Sequence, residues 1–385
     1  MNKFPFKLIF FLVLACFIAA SFTGWLYSMG HPVSQKMPVV RVVIAEARSA
    51  ALEFKKSYTV YDYSKKSMLL KRAKNTFKVH VGTQGLIMDG SVNLPNRVFI
   101  DSEKAEVFEL NGRMYRGDVA LLRNGKNILV VNYVSIEDYL KSVVPSEISK
   151  LWRVEALKAQ AVASRGFAYY HMMTNAERDY DVAFELQQYH GIEAENPKTS
   201  WAVDVTFGQI LEYHSNTFPS FFHAVCGGYT ENADAVWKNT TGFPEPVPCT
   251  FCRNSRYYSW EYSCSVKTLS RLIREEGYKC TELNTIRAGK MARFFSRVRS
   301  VVVTADGKDI DLPINIFRKI IGYGNVRSGI FSITKKGSSF YFKGQGWGHG
   351  VGLCQYGAKT MAENGLKYHD ILYHYYPKTT LKRVY

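Results

Sequence analysis

One carboxylate, Glu147, stands between Pro145-Ser146 and a long Ala-rich stretch that begins near Val154. At a helix entrance it can serve as a cap, because the backbone dipole favours negative charge at a helix N-terminus. It can also serve as a general acid. That role needs apolar or acidic surroundings that outweigh the dipole and raise its pKa. A second group is the run GQGWGHGVGLCQYGA, Gly344 to Ala358, in which Gly344, Gly346, Gly348, Gly350 and Gly352 alternate. It matches no phosphate-loop or dinucleotide pattern. Alternating glycines let a backbone approach a ligand or another backbone closely, and Trp347 and Tyr356 could stack on sugar faces. The third group pairs His223-x2-Cys226 with Cys249-x2-Cys252. These are four ligands of the types zinc prefers, and the gap of roughly twenty residues between the pairs is usual for a zinc site. A disulfide from Cys226 to Cys249 or Cys252 would use the same atoms and leave His223 free. Four protein ligands would close the metal shell, which makes any zinc structural and speaks against a metallohydrolase.

These groups need elements to hold them. "IEDYLKSVVPSEI" from Ile136 reads as a short helix that stops near Pro145, since the residue before a proline is pushed out of the helical region. A second helix is expected from about Val154 to Met173. Ala156, Ala159, Ala161, Ala163 and Ala168 keep it small around most of its circumference, which suits tight burial. Arg165 within it needs an acidic partner or an anionic ligand. Upstream, from Pro38 to about Val134, runs of β-branched residues (Val39 to Ala45, Phe77 to Val81, Arg97 to Asp101, Asn127 to Val134) alternate with turns such as Asp89-Gly90, Asn111-Gly112 and Asn124-Gly125. Downstream, Ala202 to Leu211 and Pro219 to Gly228 read as strands, and Arg297 to Leu312 as a hairpin. Arg253 to Arg299, which carries Cys264 and Cys280, reads as irregular. The expected fold class is α+β: a β-rich core with a buried Ala-rich helix after Glu147, plus a smaller N-terminal β-rich region.

The chain has 385 residues, 46% hydrophobic and 22% charged, so a packed core is expected and disorder is not. Its net charge of +17 points to a polyanionic partner such as nucleic acid, anionic lipid or an acidic polysaccharide. The first residues bear on that choice. Lys3 and Lys7 precede an uncharged apolar run, Leu8 to Leu26. It approaches the ~20 residues that span a bilayer, and the flanking lysines favour a cytoplasmic N-terminus. Residues 1–27 are expected to be a signal peptide or membrane anchor, and 28–37 a linker. Residues 38–134 form the β-rich region, and 135–385 the domain that carries the chemistry, with an irregular insertion at about 253–299. An exported body speaks against nucleic acid as the partner and favours the cell envelope, either the periplasm or the outer face of the cytoplasmic membrane. "VLAC" ending at Cys16 loosely resembles a lipoprotein cleavage site, but the apolar run continues past it.

Taken together, the motifs resemble those of the stage II sporulation protein D family, also called SpoIID/LytB. Its P-S-E-[MI] and W-x-x-E-A-L-K-A-Q-A-V-A-[AS]-R correspond to Pro145 to Ile148 and to Trp152 through Arg165. Its H-S-x-S-G-G-x-T-E corresponds to His223 to Glu231, and its G-[WH]-G-H-G-x-G-[ML]-S-Q-[WY]-G-A to Gly346 to Ala358. Its closing I-L-x-H-Y-Y-P corresponds to Ile371 to Pro377. The resemblance implies a lytic transglycosylase acting on peptidoglycan, with some relatives regarded as amidase enhancers. It places the catalytic acid on Glu147. Gln160, Arg165, Tyr189, Trp347, His349 and Gln355 become candidates for binding glycan, with Tyr189 inside a cleft-lining Gln187-x-Tyr189-x-Gly191 segment. Arg165 could bind a lactyl carboxylate bared by removal of stem peptides, or form a salt bridge to Glu155 or Glu231. Two family serines are replaced, by Cys226 and Cys354. The stretch where some relatives hold zinc reads DVAFEL here (Asp181 to Leu186) and offers no such ligand. A transglycosylase can work with one carboxylate, because the C6 hydroxyl of N-acetylmuramic acid is the nucleophile. Glu147 would protonate the leaving oxygen and then accept the hydroxyl proton as the 1,6-anhydro ring closes. The implied partners are peptidoglycan strands, an N-acetylmuramoyl-L-alanine amidase and an anionic membrane surface. The alternatives are a glycan-binding protein without catalysis or an amidase activator.

Overall fold

The computed structural model describes residues 37–385 except 74, 104–106, 184–185, 238–239 and 292–296. The expected leader, Cys16 and all but the last residue of the expected linker lie outside the described residues. Among the described residues, no helix is long and apolar enough to cross a membrane.

The fold is α+β. Twelve strands come first: β1 (Val39–Ala47), β2 (Ser49–Phe54), β3 (Tyr58–Asp62), β4 (Met68–Arg72), β5 (Asn75–Val81), β6 (Leu86–Met88), β7 (Val92–Leu94), β8 (Arg97–Asp101), β9 (Val107–Leu110), β10 (Arg113–Arg116), β11 (Asp118–Asn124) and β12 (Asn127–Ser135). They form two six-stranded sheets, ordered β1-β12-β11-β8-β3-β4 and β10-β9-β2-β5-β6-β7. Both sheets contribute to one core. Leu52, Phe54, Phe77, Val79 and Phe108 enter it from the second sheet, and Val60, Val98, Ile100, Val119 and Leu121 from the first. The alternate residues of β8 and β11, Phe99, Ala120 and Leu122, are buried in a separate cluster on the other face of the first sheet. At Asn111-Gly112 both residues have positive φ (49° and 84°), and Leu110 pairs with Arg113. This is the two-residue hairpin turn that an Asn-Gly pair favours.

Helix α1 (Ile136–Glu147) follows β12 directly. Ser135 caps it by accepting from the Asp138 N–H, and Ile136, Tyr139, Leu140, Val143 and Val144 form its buried face. The helix does not stop near Pro145. It runs on to Glu147, with the Ser146 hydroxyl donating to the Ser142 carbonyl at 2.8 Å and the Ile148 N–H to Val144. Helix α2 (Val154–Thr174) is buried from Ala156 through Ala168 apart from Lys158. Its small residues Ala156, Ala159 and Ala163 pack against Leu353, Ala358 and Met361 from near the far end of the chain.

The stretch Ala202 to Leu211 is not one strand. Helix α3 (Pro197–Val205) occupies its first part, and β13 (Gln209–Tyr213) begins after Gly208. The start signal lies upstream of that stretch: Pro197 opens the helix, and the Asn196 side chain caps it by accepting from Lys198 N–H. Pro219 to Gly228 keeps only two strand residues, in β15 (Phe222–His223), after the short β14 (Asn216–Thr217). The described part of Arg253 to Arg299 holds regular elements where irregular chain was expected. It holds β16 (Ser259–Ser265), α4 (Val266–Glu275) and β17 (Leu283–Ala288). Ser265 caps α4, and Leu269 and Ile273 are buried on one side of it. The hairpin is present as β18 (Ser300–Ala305) and β19 (Lys308–Pro313), turned at Asp306-Gly307. After α5 (Ile314–Ile321), β20 (Ile330–Lys336) pairs with β21 (Ser339–Gln345), which in turn pairs with β16. Short β22 (Leu353–Cys354) runs parallel to β15. Helices α6 (Gln355–Glu363) and α7 (Tyr368–Tyr375) and strand β23 (Thr379–Arg383) follow, and β23 pairs along all of β13.

Candidate active site

Glu147 is the last residue of α1, at its C-terminal end and not at a helix entrance. The dipole there disfavours a negative charge. The side chain is half-buried, and burial raises its pKa above the ordinary carboxylate value, opposed by one hydrogen bond from the Gln188 N–H at 2.9 Å. That N–H is held in place by its neighbours. Gln187 is buried, accepts from the Tyr139 hydroxyl at 2.8 Å and donates to the Ser164 carbonyl, while the His190 N–H donates to the Ser142 hydroxyl. The segment 187–190 is thus tied across α1 and α2, with one backbone N–H at the carboxylate.

A cleft of about 410 Å³ opens over Glu147. Trp152, Tyr257, Trp347, Gln355 and Tyr356 line it, and Glu147 is the only carboxylate among the described lining residues. The aromatic rings brace one another edge to face: Trp152 on Tyr356 at 5.1 Å, Tyr356 on Tyr257 at 5.3 Å and Tyr257 on Trp347 at 5.1 Å. The Arg327 guanidinium covers the Trp347 ring at 4.8 Å. Such rigid rings suit the apolar faces of sugars, and Glu147 and Gln355 supply polar groups between them. An adjoining groove shares Ser149, Trp152 and Tyr356, and adds Arg256 and Lys359.

Of the expected glycan contacts, Trp347 and Gln355 reach this cleft. Gln160 lies behind it, buried, and accepts from the Gln355 amide at 3.3 Å. Tyr189 turns the other way. Its hydroxyl donates to Asn132, and its ring packs on Tyr115 and Tyr139 beside the N-terminal core. His349 is tied into the glycine loop, with Nε2 donating to the Phe222 carbonyl and Nδ1 accepting from Val351 N–H. Burial pushes its pKa well below the ordinary value, so it is neutral. Arg165 is not a ligand for substrate. It is fully buried and makes a two-pronged ion pair with Glu137, both contacts at 2.8 Å. Neither Glu155 nor Glu231 is its partner: they face Lys158 and Arg297.

The cysteine site also differs from expectation. The sulfurs of Cys226, Cys249, Cys252 and Cys354 lie within 4.8 Å of one another, all buried. His223 is not among them. Its Nδ1 donates to the Val351 carbonyl, and burial lowers its pKa to about 4. The parallel pairing of β15 with β22 brings Cys354 to the fourth position. The sequence signal was present in the two family serines that both became cysteine. The thiols are not disulfide-bonded, the Cys226 and Cys252 sulfurs being 3.4 Å apart. Four tetrahedral thiolates about 2.3 Å from a zinc ion would be spaced about 3.8 Å apart, so the cluster can hold such an ion with modest adjustment. Backbone N–H groups of Cys226 and Gly228 already point at Cys354 and Cys226 sulfurs, and the Tyr375 hydroxyl lies 3.2 Å from the Cys249 sulfur. Such outer partners stabilise thiolate ligands. The alternating glycines serve this packing. A Cβ on Gly346 would stand 2.8 Å from the Val225 carbonyl oxygen, and one on Gly352 would stand 2.1 Å from that of Phe221. The close approach is to the chain's own backbone.

The stage II sporulation protein family model, SpoIID, matches residues 124–213, the segment that supplies α1, Glu147, α2 and the 187–190 strap. The chain belongs to the SpoIID family. It is 28% identical over 271 residues to the stage II sporulation protein D of Bacillus subtilis, covering 65% of this chain and 75% of that one. It is 29% identical over 286 residues to the amidase enhancer of the same organism, covering 63% of this chain but only 40% of that longer protein. An uncharacterized protein of Brachyspira hyodysenteriae is 32% identical over 350 residues, 88% of this chain and 91% of the relative. Residues 250–352 match a domain of unknown function, DUF8618. That domain contains Cys252, Tyr257 and Trp347; with Tyr356, three of the four aromatic walls of the cleft come from outside the segment the SpoIID model matches.

Proposed function

We propose that this SpoIID protein is a peptidoglycan lytic transglycosylase that cleaves the bond between N-acetylmuramic acid and N-acetylglucosamine. Its role in the cell wall accords with the family. The observation that carries the reading is the single carboxylate, held at a helix C-terminus with a raised pKa, at the foot of an aromatic cleft. Protonated Glu147 donates to the departing glycosidic oxygen. The glycosidic bond breaks, and the muramyl C6 oxygen bonds to C1. The carboxylate, now ionised, accepts the C6 hydroxyl proton, which restores the starting acid. No second carboxylate is required, because the nucleophile belongs to the same sugar. The substrate is peptide-stripped strand. Cys226, Cys249, Cys252 and Cys354 hold one structural zinc, which cross-links β15, the 249–252 turn and the start of α6. The protein works outside the cytoplasm, anchored by its N-terminal apolar run.

The similarity to an amidase enhancer favours a second reading, a glycan-binding amidase activator without chemistry of its own. One experiment separates the two. The purified chain and Glu147→Gln are incubated with peptidoglycan before and after amidase treatment, and the sugar ends are read by mass spectrometry. Anhydro ends from the wild type alone support the transglycosylase. Reducing ends mean a hydrolase. Binding with no cleavage from either protein moves the activator reading to the front.

A further inference from the structure

A second cavity, of about 450 Å³, shares the Trp347 wall with Glu147's cleft. Arg297, Arg299 and Arg318 line it, with Trp237, Tyr323 and, among the described residues, one carboxylate, Glu231. Glu231 is taken: it faces Arg297 at 3.4 Å. Arg318 is 8% exposed and has no carboxylate partner among the described residues. It donates only to the carbonyls of Val326 and Arg327, under the Tyr323 ring, and burial lowers its pKa to about 10. The Arg299 Nε is buried with no hydrogen-bond partner. His349, on the same wall, is neutral. Among the described residues, three guanidiniums against one carboxylate leave the cavity two positive charges in excess. A buried cation without a counter-ion is costly, and planar guanidinium pairs are matched to carboxylates.

We propose that this cavity is a subsite for a carboxylate carried by the glycan strand, with Arg299 and Arg318 as its ligands and Trp347 as the platform shared with the cleavage site. The proposal rests on the glycan-cleaving reading and assigns the carboxylate recognition that Arg165 does not perform. Two carboxylates of the wall could fill it: the lactyl group of a bare muramyl residue, or an acid on its stem peptide.

The test is calorimetric binding to the full chain carrying Glu147→Gln. The probes are a tetrasaccharide of alternating N-acetylglucosamine and N-acetylmuramic acid, the same compound with its lactyl groups capped as methylamides, and the same compound carrying stem tetrapeptides. The bare probe should bind about tenfold or more tighter than the capped one. Arg299→Gln and Arg318→Gln should each erase most of that difference while leaving the capped probe unchanged. Arg299 is partly exposed, so its substitution should keep the melting temperature and report on the site even if Arg318→Gln folds poorly. Tightest binding of the peptide-bearing probe, lost in the arginine variants, supports the site with the peptide as source. Equal binding of all probes, or a carboxylate preference that survives both substitutions, overturns it. Wild-type cleavage run in parallel keeps the two ideas apart. Glu147→Gln that still cuts overturns the lyase reading alone, and Glu147-dependent cutting with arginine-independent binding overturns the subsite alone.

Discussion

Glu147 must be protonated to start the reaction, so activity should fall as pH rises through its raised pKa. Glu147→Gln should lower turnover by about 10²–10⁴-fold, as a general acid's loss does. Stability carries the same signature. A carboxylate whose folded pKa lies above its unfolded one contributes fully below the unfolded pKa and loses that contribution as pH rises through the folded one. Glu147→Gln should therefore gain on the wild type at neutral pH, and the gain should shrink in acid. Thermal melts from about pH 4 to about pH 8 check this; a gain that grows in acid would mean the carboxylate is stabilised when charged. Arg165 makes the opposite kind of prediction. Arg165→Met alone should cost about 3–5 kcal/mol in urea unfolding by stranding Glu137, and adding Glu137→Leu should recover much of it. That Glu147, Trp347 and Gln355 meet in one cleft was legible in the sequence because motif and residue chemistry agreed. The partner of Arg165 was not, because Glu137 sits one helix earlier, and nothing in the spacing says which carboxylate faces α2.

Helix α6 is positioned by a missing side chain. A Cβ on Gly357 would stand 1.9 Å from the Tyr375 hydroxyl and 3.0 Å from the Cys249 sulfur. Gly357→Ala should destabilise the fold by about 1–3 kcal/mol through overpacking and weaken retention of the proposed zinc as well. Denaturant midpoints and a zinc-release titration measure the two effects, and a neutral result would show that α7 yields without cost. The β-rich region was readable at this scale, since alternation and Asn-Gly or Asp-Gly turns fix strands locally: the expected Arg97 to Asp101 is β8 to the residue. Where short apolar runs were read alone, they misled. Ala202 to Leu211 has the composition of a strand, yet the helix start before it decides its first half. Glu147 itself was placed at the wrong end of a helix, and its electrostatics reversed with it. The proline rule gives a preference for the residue before Pro145, and the packing of Val143 and Val144 outweighed it.

Across the whole molecule, the charge of +17 should make glycan binding salt-sensitive, with affinity for acidic strands falling between about 50 mM and about 500 mM salt. Binding that ignores salt would leave stacking as the main attraction. If the four cysteines hold the proposed zinc, a chelator should lower the melting temperature by several degrees and expose four reactive thiols, and Cys354→Ser should do much the same without chelator. The cluster could not be read as four cysteines from spacing, because Cys354 lies 128 residues beyond Cys226 and the two meet through long-range pairing such as that of β15 with β22. The same long reach shapes the life history of the protein. Glu147 is made early, but its cleft waits for Trp347 and Gln355, and β13 waits for β23, which pairs Ile210 with Lys382. Contacts this distant close late in folding. A chain clipped before residue 347 would carry Glu147 without Trp347, Gln355 or Tyr356, an acid bared of most of its cleft.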